Sequence, residues 1–184
     1  LGICHQKKGD AKAARAAYKK ALDLRKDYAE AWNNLGTLDH ARGKYKPAVS
    51  AYSKAIQLKP QDAVFYKNLG AAWLARGDVD RALEAFKETL RLAPENPYAL
   101  LYLEKLHEEQ HQWAEAYATR RKLAQQDTAT SQARHQEILA FLDNELGLAA
   151  LKRTDYPEAA RRFEAAIELD EHTVPAYLNL GDVR

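Results

Sequence analysis

Residues 29–60 read AEAWNNLGTLDHARGKYKPAVSAYSKAIQLKP, and the spacing of small and aromatic residues along them decides the fold. Gly43 separates two stretches of helical spacing, and glycine reaches the backbone conformations that a sharp turn requires. On either side of it Gly36 and Ala48 are small, as two antiparallel helices need where they approach closely. Tyr52 fills the space between neighbouring units, and Pro60 ends the second helix. The stretch predicts one helix–turn–helix unit.

Working outward, the same unit recurs. LGICHQKKGD, LGTLDHARGK and LGAAWLARGD place Gly2, Gly36 and Gly70 34 residues apart, and Gly9, Gly43 and Gly77 each follow seven residues later. Ala14, Ala48, Ala82, Ala116 and Ala159 repeat the small residue, and Tyr18, Tyr52, Phe86 and Phe163 repeat the aromatic. A fixed period of this length is the mark of a stacked repeat, in which each unit buries its apolar face against the next. The spacing predicts first helices at about 29–42, 63–76, 97–110 and 131–152, with a first-helix remnant at 1–8 and a stub from 174. Second helices are expected at 11–24, 44–58, 78–92, 112–126 and 155–169. Asp62, Asn96 and Asp155 stand where N-caps are needed.

This pattern resembles the tetratricopeptide repeat (TPR) family, matching it at Trp32, Leu35, Gly36, Gly43, Tyr45, Ala48, Tyr52, Ala55 and Pro60. The resemblance implies an all-α, right-handed solenoid of antiparallel helix pairs over residues 1–184. Units 1–96 are regular, 97–130 is degenerate, 131–173 carries an extended helix and 174–184 is truncated. In the degenerate unit Glu104 replaces the small residue at the crossing, His111 the turn glycine and Arg120 the packing aromatic. Either those helices separate locally or these side chains point elsewhere. The step from Glu104 to Gly147 is then nine residues longer than the repeat, and no glycine or proline lies between residues 98 and 146. The extra residues lengthen the next helix by about two and a half turns, with Thr130 or Ser131 as its cap. Residues 98–184, with LEKLHEEQHQWAEAYATRRKLAQQ ahead of a long helix, resemble the LapB-type lipopolysaccharide assembly proteins, a resemblance that implies a bacterial regulator of envelope lipid synthesis.

Composition narrows the function. The chain has 184 residues, 46% apolar and 29% charged, with a net charge of +2. Residues 1–62 hold 13 Lys/Arg against 6 Asp/Glu, but the lysines are scattered without aromatic interleaving, so nucleic acid is not an expected partner. No run approaches the roughly 18 apolar residues of a membrane helix. The lone Cys4 excludes an internal disulfide and reads as a buried thiol. The chain contains no methionine and opens abruptly, which reads as an interior piece of a longer protein, expected on the cytoplasmic side.

HEEQH at 107–111 has the two-histidine spacing of a zinc metallopeptidase. In the repeat register, however, His107 takes a packing position and His111 takes the turn, so a metal pair on one rigid helix is not expected. No phosphate loop or nucleophile elbow is present, and neither catalysis nor a cofactor is predicted. The expected activity is the binding of a protein or peptide along the concave face of the first helices. Asn34, Asn68 and Asn179 recur one residue before each Leu-Gly, and repeated amides can pair with a peptide backbone. Tyr102 and Glu145 interrupt this ladder. Asn33, Lys67, Leu74, Tyr98, Leu101, Lys105 and Asn144 complete the candidate groove, whose apolar members suit an amphipathic helix. The carboxylate clamp of TPR co-chaperones is matched by Lys67 and Asn34 but broken by Ile3 and Ala71. Shifted by one unit, it is matched by Asn68 and Lys105 but broken by Leu101. Self-association through the ends of the array, or service as the TPR module of a larger metallopeptidase or glycosyltransferase, are the alternatives.

Overall fold

The computed structural model describes residue 2, residues 10–126 and residues 131–183. Cys4, His5, Gly9, Thr130 and most of the helix expected over 1–8 lie outside the described residues. Among the described residues these helices follow in order: α1 Ala11–Leu24, α2 Ala29–His40, α3 Tyr45–Leu58, α4 Ala63–Ala75, α5 Val79–Leu92, α6 Pro97–Glu109, α7 Trp113–Gln126, α8 Gln132–Lys152, α9 Tyr156–Leu169 and α10 Val174–Val183. No strand occurs among the described residues. The fold is all-α, and the extended helix is α8, 21 residues long. Packing divides the chain into two compact units, Leu1–Ala99 and Leu100–Arg184.

In the first unit, local chemistry starts and stops the helices as the spacing implies. The carboxylate of Asp10 accepts the Ala13 amide, that of Asp62 the Val64 amide and that of Asp78 the Arg81 amide, so each fills an otherwise unpaired donor of a first turn. Gly43 and Gly77 sit in the turns at φ 71° and 79°. The Tyr52 ring lies directly on Gly36, where a β-carbon would come within 2.7 Å of it, and Phe86 lies on Gly70, where the distance would be 2.8 Å. Tyr18 covers Gly2 in the same way. Tyr52 also packs with Ala48, Val49 and Ala72, linking its own unit to the next.

The second unit keeps this scheme and then departs from it. Phe163 lies on Gly147, and with Ala150 and Ala159 it forms a core closed by Leu148, Leu151 and Leu180. A smaller cluster joins Ala140, Ala166 and Ala176. Asp155 caps α9 through the Glu158 amide, whereas Ser131 precedes α8 without a side-chain cap bond.

At Glu104 and Arg120 the side chains do not point away from the crossing position; the two residues meet each other. Arg120 Nε and Nη2 donate to the two carboxylate oxygens of Glu104, the second at 2.6 Å. The physical reason is register. Glu104 and Arg120 are 16 residues apart, as are Gly36 and Tyr52, Gly70 and Phe86, and Gly147 and Phe163. The α6–α7 crossing thus replaces a glycine covered by an aromatic ring with a carboxylate covered by a guanidinium.

The turn position is equally persistent. His111 and Thr154, the counterparts of Gly43 and Gly77, hold φ 56° and 59°. A non-glycine residue there stores strain, more so when β-branched. Thr154 is exposed, and its hydroxyl donates to the Arg153 carbonyl. Thr154→Gly is therefore expected to stabilise the chain by about 1 kcal/mol, measurable as a rise in the urea midpoint without a change in slope.

Candidate functional site

The first helices of each unit turn one side to their second-helix partners, where the glycines are covered. Residues two before or one after a covered glycine, Asn68 before Gly70 among them, lie about 160° and 100° around the cylinder from that side, because each residue advances the chain by about 100°. In the first unit this inner face is made by α2 and α4. Asn68 Nδ2 donates to Asn33 Oδ1 at 2.9 Å, joining the two helices. Asn33 is buried, while Asn68 is half-buried. Lys67 holds its ammonium 5.3 Å from the centre of the Tyr98 ring, a cation–π contact, and Tyr98 is exposed. Leu74, the penultimate residue of α4, is half-buried.

The second unit repeats the amide contact. Asn179 Nδ2 donates to Asn144 Oδ1 at 2.8 Å, again 35 residues apart, with Asn144 buried and Asn179 half-buried. Of the asparagines read as a ladder, Asn68 and Asn179 each bond an asparagine one place earlier in register on another helix, Asn33 and Asn144. Asn34 takes no part in these pairs and lines a crevice beside Tyr18, Ala21 and Tyr28.

Leu101 and Lys105 of α6 belong to a different feature of the same unit. With Tyr102, Glu108 and the α8 residues Ile138 and Phe141, they line an open depression of about 700 Å³. Leu101 and Phe141 are each 48% exposed, high for large apolar side chains. Its floor includes the Glu104–Arg120 pair, and Arg120 Nη1 lies 3.3 Å from His135 Nδ1. Burial pushes the Glu104 carboxyl up, and the bond and charge of Arg120 pull it back. A second buried pair joins Asp143 of α8 to Arg162 of α9 at 2.7 Å. Burial raises the Asp143 carboxyl, opposed by Arg162 and by a hydrogen bond from Tyr117.

His107 and His111 do not share a helix. α6 ends at Glu109, His107 is buried in its last turn, and His111 lies in the following turn with its ring 5.2 Å from that of Trp113. No group of three metal-binding side chains occurs among the described residues. No helix among them is long and apolar enough to cross a membrane.

Family models of the tetratricopeptide repeat match residues 1–61, residues 73–140, and residues 41–97 together with 144–184. The chain belongs to the tetratricopeptide repeat family. No curated protein matches this chain. Several solved structures share its fold. MamA is 23% identical with a TM-score of 0.65, over 93% of this chain and 95% of that one. YrrB, described as a TPR protein with an unusual peptide-binding site, is 18% identical with a TM-score of 0.65, over 96% and 87%. The pilF protein of Pseudomonas aeruginosa is 23% identical with a TM-score of 0.68, over 99% and 79%. TPR proteins of this kind generally mediate protein–protein interaction. Sequence reasoning missed Glu108, Ile138 and Phe141, although the nine-residue lengthening of α8 was a signal that it carries residues outside the repeat register.

Proposed function

We propose that this TPR chain is a non-catalytic scaffold that holds a peptide or protein segment along the inner face of its first helices. The observation that supports this most strongly is the pair of inter-helix amide contacts, Asn33–Asn68 and Asn144–Asn179. In each, the half-buried asparagine spends one N–H on its buried neighbour and keeps its carbonyl and second N–H. A peptide backbone needs one donor and one acceptor at each such point. Anchoring by the buried partner removes the rotamer freedom that a lone amide would lose on binding. Exposed Val64 and Tyr98 add apolar area in the first unit.

The test uses twelve-residue peptides selected from a display library on the full chain, with binding read by fluorescence anisotropy. Asn33→Ala/Asn68→Ala is expected to weaken binding about tenfold or more, the effect of removing two polar contacts, while leaving the circular dichroism spectrum unchanged. Unchanged affinity would move the site off this face. A narrower reading, a LapB-type regulator that brings an envelope-lipid enzyme to its partner, is supported by the extended α8 behind the glycine-free α6–α7 pair. Failure of such an enzyme to co-purify with the chain would overturn that version alone.

A further inference from the structure

The depression between α6 and α8 has a chemistry of its own. Among the charges around it, Arg120 is committed to Glu104, and Lys105 is 3.8 Å from Glu109. Glu108 and Glu137 make no ion pair among the described residues, against one unpaired cation, the exposed Arg134. Glu108 is half-buried, and burial holds its carboxyl above the ordinary range, only partly countered by Arg120. The surface therefore combines exposed Leu101, Tyr102 and Phe141 with two carboxylates outside any ion pair among the described residues, Glu108 and Glu137, against Arg134, and Glu108 is already partly desolvated.

We propose that this depression docks one face of a basic amphipathic helix of a partner protein, with large apolar side chains seated between Leu101 and Phe141 and a lysine or arginine beside Glu108. This rests on the scaffold reading above and names the partner chemistry of its second unit. A volume of about 700 Å³ accommodates side chains rather than a whole helix, as expected where an amphipathic helix places anchors from successive turns into a shallow groove. A cation arriving at Glu108 meets a carboxylate that has already lost part of its water, so the pair forms at a smaller desolvation cost than one between two fully hydrated ions. An acidic helix would instead set like charges against Glu108 and Glu137.

Two fluorescein-labelled 18-residue helical peptides serve as probes, each with leucine and tryptophan along one face, one carrying lysine and the other glutamate on the polar face. Anisotropy with the full chain is expected to show binding of the lysine peptide and binding of the glutamate peptide about tenfold or more weaker. Leu101→Ala/Phe141→Ala, both at exposed positions, should weaken the lysine peptide by about tenfold or more. Glu108→Gln should narrow the preference for lysine over glutamate. Equal binding of both peptides, or binding indifferent to Leu101 and Phe141, would overturn the proposal. If the library peptides still bind through the asparagines while neither helical probe does, this inference fails alone. If no peptide of either kind binds, both readings fail.

Discussion

Arg120→Ala is expected to lower the stability of the second unit by about 3–5 kcal/mol, the cost of leaving a buried carboxylate without its partner. Glu104 is 3% exposed, and its two carboxylate oxygens are bound by Nε and Nη2 of Arg120. The alanine variant removes both bonds and opens a cavity where the guanidinium stood. The compensating experiment is sharper than the loss itself. Glu104→Gly/Arg120→Phe rebuilds the contact that Gly147 and Phe163 make in the same unit. Replacing a buried ion pair by well-packed apolar groups is commonly neutral or stabilising, so the double variant should recover most of the deficit in urea unfolding. His135 loses its contact with Arg120 in both variants, so any shortfall common to the two belongs there. If the double variant is no more stable than Arg120→Ala, the ion pair does not occupy the place of a glycine and a ring.

Phe163→Ala carries the second large effect. The ring is fully buried between α8 and α9 and closes the core of Ala150, Ala159 and Leu148. Its removal is expected to cost about 3–5 kcal/mol, through lost transfer energy and the cavity that remains. The converse change, Gly147→Ala, pushes a methyl group into the same ring, and overpacking of this kind costs about 1–3 kcal/mol. Adding Phe163→Leu to Gly147→Ala should return part of that loss by vacating the contested space. Hydrogen exchange of the α8 and α9 amides reads both effects locally, which matters because stacked repeats open unit by unit. Equal protection in wild type and Phe163→Ala would mean that the ring does not hold these helices together.

The residues that made the fold legible are those whose role is fixed by a pair at constant separation. Gly36 with Tyr52 and Gly70 with Phe86 announce a crossing, because a missing side chain and a large one must coincide for two helices to approach. Glu104 and Arg120 were harder to read, since each looks like a loss when compared with the pattern singly. Taken together, they keep the same separation with a different chemistry. The turn was legible even without glycine: His111 and Thr154 keep the left-handed backbone of Gly43 and Gly77.

A difference of one residue rotates a side chain by about 100°, and this separates Asn33, paired with Asn68, from Asn34, which lines a crevice beside Tyr18. The depression was legible only through Leu101 and Lys105. It depends on where the lengthened α8 sets Ile138 and Phe141 relative to α6, and no repeat period encodes that placement. Polar pairs buried at crossings, Asp143 with Arg162 and Asp39 with Arg15, escaped for a similar reason: their partners lie 19 and 24 residues away at no repeating separation.

The central claim is that this chain works by holding a partner segment on the inner face of its first helices. Amide chemical-shift mapping of the full chain, titrated with a display-selected peptide, tests it most directly. The largest shifts are expected in α2, α4, α6 and α8, centred on Asn33, Asn68, Leu101, Phe141 and Asn144. Shifts confined to the outer sides of α3, α5, α7 and α9 would contradict it.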